Sequence, residues 1–186
     1  MDRARVEQLI QELLIELGED PSQERLAGTP RRVAELLEMF AVQKPEPIPP
    51  PSTHESPGRG RMMIVPNLGF ISICEHHLLP FFGQIHVGCI ARERTCDAAY
   101  CARVVEAFAH RPQLQERLTE QIADALMEAL EPEGIGVAAE GRHMCMMMRG
   151  VEKQNSEIQS STLRGCFFDP TIRRTFFTQV MKTVTI

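Results

Sequence analysis

Apolar residues recur at helical spacing from the first turn of the chain. Val6, Leu9, Ile10, Leu13, Leu14 and Leu17 share one face, and Gly18 stops the run. This predicts a helix over residues 2–17. A second helix is predicted from Thr29, as N-cap, with Pro30 at its first position, running through RRVAELLEMF to Phe40. Residues 43–60, QKPEPIPPPSTHESPGRG, hold six prolines and no apolar period, which reads as an exposed, partly polyproline linker with His54 in solvent.

Beyond the linker the pattern changes. MMIVPNLGFISIC (62–74) and QIHVGCIAR (84–92) read as antiparallel strands bracketing the turn-prone EHHLLPFFG. Two helices are predicted next, over residues 98–111 and from Pro112 to Leu130. Short strands follow at 134–140 and 142–150, broken at Gly141, and another at 159–168. Asp169 before Pro170 caps a last helix. The expected fold class is α+β with antiparallel pairing. Its expected domains are a helical region over 1–42, a linker over 43–61 and a catalytic domain over 62–186.

Composition narrows the function classes. The chain has 186 residues, a net charge of -5, 5% aromatics and no Lys/Arg-rich run, which argues against a nucleic-acid partner. Apolar runs fall short of the ~20 residues a membrane span needs, and the acid-rich amphipathic start is unlike a signal peptide. Six cysteines (74, 89, 96, 101, 145 and 166) are then expected as free or metal-bound thiols in a cytoplasmic protein.

The densest chemistry is Cys74-Glu75-His76-His77 at a strand end. Cys74 and His77 are spaced so that a turn can bring thiolate and imidazole to one ion. On a strand over 142–150, His143, Cys145, Met147 and Arg149 would share a face. Cys74, His77 and Cys145 would then make a Cys₂His zinc site with an open fourth position, as catalytic zinc requires. The competing reading makes Cys145 a core thiol and the methionine run gap-filling core. The helical segment Gln113–Arg117 reads as solvent-facing, although a Glu beside a purine can accept from adjacent N–H groups. GIGVAA (134–139) matches a dinucleotide fingerprint but precedes a strand, so that reading fails. His86 and His110 have no matching partner and read as structural.

Taken together, SICEHHLLPFFGQIHVG, RVVEAFAHRPQLQERLTEQIADAL and RHMCMMMRGV closely resemble GTP cyclohydrolase I over residues 62–180, and TPRRVAELLEMF does so more loosely. The resemblance implies the tunnelling fold, an antiparallel sheet with two helices on one face, assembled as a homo-oligomer, typically a decamer of two pentamers. It implies Zn²⁺ on Cys74, His77 and Cys145, proton donation by His143, and assistance by His76. Glu116 would hold the guanine edge, Gln115 the ribose region, and Arg103, Arg149 and Arg32 the triphosphate. The implied reaction opens the imidazole ring of GTP at C8, releases formate and closes 7,8-dihydroneopterin triphosphate.

One segment departs from the family pattern. Gly-Leu-Ser-Lys is replaced by Asp97-Ala98-Ala99-Tyr100, so a hydroxyl and an ammonium of the phosphate site are gone. Arg92 or Arg94 upstream offers a replacement cation. Two alternatives follow: a paralogue acting on a guanine compound without the triphosphate and stopping at a ring-opened product, and a non-catalytic ring-forming partner. All zinc and proton-transfer residues are present, which favours an enzyme.

Overall fold

The computed structural model describes residues 1–41, 53–55, 60–92, 94–96, 98–148 and 155–184; for 53–55, 94–96 and 182–184 it describes the backbone alone. The chain divides into two compact units, Met1–Lys44 and Pro45–Ile186. In the first, α1 (Arg3–Glu16) packs on α2 (Thr29–Glu38). Asp2 caps α1 by accepting from the Arg5 N–H, and Arg3 forms ion pairs with Glu7 on its own helix and Glu35 on the other. Thr29 is the first helical residue of α2, not its cap; Gly28 stands at the cap position.

The second unit is built on a five-stranded sheet. A strand β1 (Thr53–Glu55) comes first, inside the stretch expected to be irregular. The rest of the expected linker, 43–52 and 56–59, lies outside the described residues. Then come β2 (Met62–Cys74), β3 (Pro80–Ile90) and β4 (Arg94–Cys96), which pairs with β1. The helix α3 (Ala98–Ala109), the short β5 (Pro112–Gln113) and α4 (Gln115–Leu130) follow. Last are β6 (Gly134–His143), α5 (Met144–Met147), β7 (Ile158–Gly165), a 3-10 turn over Cys166–Phe168 and α6 (Pro170–Val184). The sheet order is β5-β2-β3-β6-β7, antiparallel except where β5 runs parallel to β2.

Four sequence expectations are corrected. Pro112 does not begin a helix: it starts an edge strand, where its missing N–H leaves no ladder bond unmade. Gly141 does not break β6, which runs unbroken to His143 opposite Phe81. Residues 144–147 are helical, not extended, as suits Met-Cys-Met-Met with no β-branched side chain. Residues 166–168 turn away from β7 as a 3-10 turn after Gly165, at φ 59°.

Alternation along β3 and β6 sorts the two faces. Phe81, Ile85, Val87, Ile135, Val137 and Ala139 face α3 and α4, meeting Val104, Leu118, Ile122 and Leu126 in the main core. Fully burying each such aliphatic side chain contributes about 1.5–3 kcal/mol. The opposite face receives Phe167 from the 3-10 turn and Phe176 and Val180 from α6. Two of its aromatic rings sit close over a pair of facing glycines: a Cβ on Gly136 would stand 2.5 Å from the Phe167 ring, and one on Gly88 2.7 Å from Phe176.

That seat makes a prediction. Gly136→Ala should destabilise the fold by about 1–3 kcal/mol through overpacking, and Phe167→Leu in the same chain should recover part of the loss. Urea unfolding midpoints of the single and double variants measure both effects.

Candidate active site

One end of the sheet collects the ends of β2 and β6, the start of β3 and the first turn of α4. Cys74 closes β2 and is buried. The chain then turns tightly: the N–H groups of His77 and Leu78 donate to the Cys74 carbonyl at 3.3 and 2.8 Å, and Cys74 N–H donates to Leu79 at 2.9 Å. Leu78 takes a left-handed conformation, φ 52°, to make this turn, where a non-glycine residue is held only by its surroundings. Glu75 is anchored from outside by an ion pair to Arg117, and its N–H donates to the Gln113 carbonyl. Gln113 is itself fully buried: it accepts from Arg117 Nε at 2.8 Å and donates to Gln121 at 2.7 Å and to the Phe108 carbonyl at 3.1 Å.

The turn brings His77 Nδ1 to 4.0 Å from Cys74 Sγ. Cys145, on the short helix after β6, completes the group: ligand atoms of Cys74, His77 and Cys145 all lie within 4.8 Å of one another. Tetrahedral zinc with bonds of about 2.0–2.3 Å sets its ligand atoms roughly 3.5–4 Å apart, so the spacing and the soft S, N, S donor set fit such an ion. The strand alternation that pointed to Cys145 is wrong, because a helical turn and not a strand delivers its side chain.

His143 ends β6 on the same side. Its ring stacks on Phe81, with centroids 4.5 Å apart and planes 12° from parallel. Its Nε2 is 3.0 Å from Gln115 Oε1. The Gln115 amide nitrogen is already committed to the carbonyls of Ile158 at 2.8 Å and Ala139 at 3.3 Å and to Ser160 Oγ at 3.2 Å. Its oxygen must therefore face the imidazole. An amide oxygen only accepts, so His143 carries its proton on Nε2 and leaves Nδ1 as the basic atom. Burial lowers the His143 pKa from its ordinary value of 6.5, and the Glu116 charge partly offsets this.

Gln115, expected in solvent by helix position, is 1% exposed. Gly141 makes room for it, since a Cβ there would overlap the Gln115 amide. Glu116 is exposed in the first turn of α4, where the helix dipole favours a carboxylate. His76 is exposed beside His77, their rings edge to face at 6.1 Å.

The residue pattern matches a known family: the family model described as GTP cyclohydrolase I aligns with residues 6–181. The chain belongs to the GTP cyclohydrolase I family. Named relatives include GTP cyclohydrolase 1 of Dehalococcoides mccartyi, 42% identical over 96% of this chain and 97% of the relative. That of Carboxydothermus hydrogenoformans is 45% identical over 90% and 88%, and that of Aquifex aeolicus 41% over 99% of each. Among solved structures, an archaeosine synthase QueF-like protein in the apo form superposes with a TM-score of 0.45 at 15% identity, covering 56% of this chain and 93% of that one. This chain is an enzyme of the GTP cyclohydrolase I family, and no helix among its described residues is long and apolar enough to cross a membrane.

The residues expected on the phosphate side are described only in part. Arg149 and Asp97 lie outside the described residues, as does the Arg94 side chain. Arg32 belongs to the N-terminal unit, where it donates to Thr29 Oγ1 at 3.1 Å. Arg103 lies on α3 with its guanidinium 5.7 Å from the centroid of the Tyr100 ring, and its Nε is buried with no hydrogen-bond partner among the described residues. Tyr100 itself is 3% exposed, within the main core. Tyr100, which stands where the family has a lysine, therefore serves packing and backs Arg103. Sequence reasoning missed Phe81 beneath His143 and the Arg117–Gln113 brace. The lone Gly141 in a strand was a signal for close approach of another side chain.

Burial of His143 sets a pH dependence. Its folded-state pKa lies below the unfolded value of 6.5, so below that pH the unfolded chain takes up a proton that the folded chain resists. Stability is full above 6.5 and is lost as pH falls. Metal-free protein should show a falling urea midpoint between pH 7.5 and 5.5, and His143→Gln should flatten that slope.

Proposed function

We propose that this protein is a zinc-dependent GTP cyclohydrolase I, converting GTP to 7,8-dihydroneopterin triphosphate and formate. The observation that carries the reading is the meeting of Cys74, His77 and Cys145 at the sheet end that also holds His143. The two thiolates and the imidazole would hold the ion. When bound, the ion supplies Lewis acidity that makes water nucleophilic near neutral pH. His76, exposed next to His77, would assist by hydrogen bonding to such a water.

The chain's own residues account for orientation and proton transfer. Glu116 would accept from the guanine N1–H and 2-amino group, since its two oxygens match that pair of donors. His143 would deliver a proton from Nδ1 to the imidazole nitrogen of the purine as the ring opens. Its lowered pKa makes the imidazolium a stronger acid, and Phe81 and Gln115 fix its ring plane. In this reading Gln115 acts by holding His143, because its amide groups are occupied within the protein. Arg103 would contact the triphosphate; Arg149 and Arg32 are the further contacts that the family resemblance implies.

We also propose the tunnelling fold and its ring, a decamer of two pentamers. The support is the mixed sheet with α3 and α4 on one face and β7 as an outer strand with no further strand beside it among the described residues. A strand edge of this kind is a pairing surface. A substrate without the triphosphate, or a non-catalytic role, draws no support from relatives that are named GTP cyclohydrolase 1.

The deciding assay follows formate and fluorescent pterin from GTP with zinc-loaded protein; absence of both would overturn the reading. Elemental analysis should find about one zinc per chain, and Cys145→Ala should lose metal and turnover together. His143→Ala should keep its zinc and lose turnover by roughly 10²–10⁴-fold. Arg103→Ala should raise KM for GTP with the zinc content unchanged. The loss of one charge-assisted phosphate contact, about 1.5–3 kcal/mol, corresponds to roughly 10–150-fold.

A further inference from the structure

The α6 face of the sheet holds a second constellation, formed by residues the site above does not use. His86 is 1% exposed and points to this face, opposite Ala138 on β6. Its Nδ1 accepts from the Asn67 N–H at 3.2 Å. Asn67 sits in the bulge between Val65 and Leu68 with φ 57°, a conformation that turns its N–H across the sheet. With Nδ1 accepting, the neutral imidazole carries its proton on Nε2. That donor is buried and has no hydrogen-bond partner among the described residues. The Glu140 carboxylate stands 3.9 Å away, too far for a hydrogen bond.

Both groups line a cavity of about 360 Å³. Gln159 and Ser161 on β7 border it on one side, and Phe177 and Met181 on α6 on the other. A buried donor left unsatisfied is costly, and the volume lies within the range of small-molecule sites. The polar groups select the ligand chemistry. His86 Nε2 offers only a donor, so a metal ion has no lone pair to take there. Glu140 and nearby Glu157 repel an anion. A neutral group presenting an acceptor beside a donor satisfies both residues, and the apolar wall suits a flat ring.

We propose that this cavity binds a small planar ring with a lactam edge, its carbonyl accepting from His86 Nε2–H and its adjacent N–H donating to Glu140.

The probe is uracil, with 1,3-dimethyluracil, which lacks both N–H groups, as the control. Crystals of the full-length protein soaked in uracil should show the ring between β6 and α6, and calorimetry should show binding of uracil and not of the dimethyl compound. His86→Asn keeps an acceptor for the Asn67 N–H and removes the Nε2 donor; Glu140→Gln removes the carboxylate. Each should weaken uracil binding at least tenfold while pterin formation from GTP stays within twofold of wild type. His86→Gln, which restores a donor near the Nε2 position, should recover binding. Should His86→Asn fail to fold, Glu140→Gln and the dimethyluracil control decide. The proposal is overturned if the soaked cavity holds only water bridging His86 and Glu140, if side chains of a neighbouring copy fill it, or if uracil binds the variants as tightly as wild type.

Discussion

Ten consecutive antiparallel pairs, from Phe81 opposite His143 to Ile90 opposite Gly134, lock β3 to β6. This register decides which histidine belongs to which face. His143 points toward α4, where Gln115 and Phe81 receive it; His86 points toward α6. A slip of one residue would exchange the faces of every side chain on the strand. The imidazole needed beside the thiols would then sit against α6, and Gly136 would no longer lie beneath the Phe167 ring. Apolar burial on both faces opposes such a slip, so the packing of the core and the chemistry of the site rest on the same pairing.

Gln115 carries that constraint from the sheet into the helical layer. It is the first residue of α4, yet it bonds to carbonyls of β6 and β7 and to the imidazole at the end of β6. Gly141 leaves the space that this amide fills. A buried amide whose donors and acceptor are all matched has one orientation open to it, and it passes that orientation to its neighbour's tautomer. The helix start, the sheet and the proton-bearing ring therefore hold one another in place.

Features set by local chain chemistry were readable from the sequence. Cys74 and His77 lie three residues apart, and a turn at that spacing needs no knowledge of the rest of the fold. Asp169 caps α6 as expected, accepting from the N–H groups of Thr171 and Ile172. Features that depend on distant neighbours were not readable. Cys145 was reached through a strand that does not exist; its true position depends on β6 running straight through Gly141 and on a helical turn after it. Helical periodicity could not separate buried Gln115 from exposed Glu116, because tertiary contacts to β6 and β7 decide that difference. Tyr100 stands where the family has a lysine, and only the packing of α3 shows that its ring belongs to the core. The family resemblance carried the roles of these residues further than spacing alone did.

In the proposed zinc site, the turn from Cys74 to Leu79 bears on how an ion would come and go. It is closed by three backbone hydrogen bonds and braced by the Glu75–Arg117 pair, and it holds Leu78 in a backbone region that costs about 1–2 kcal/mol for an L-residue. The folded chain meets that cost itself, so the turn alone brings the Cys74 thiol and the His77 imidazole together. Cys74 is buried, Cys145 half-buried and His77 exposed. In the zinc site proposed above, the imidazole would be the ligand with the most access to water and so the hinge of exchange. Capture and release would run through the His77 side, and the thiolates would form the floor of the site.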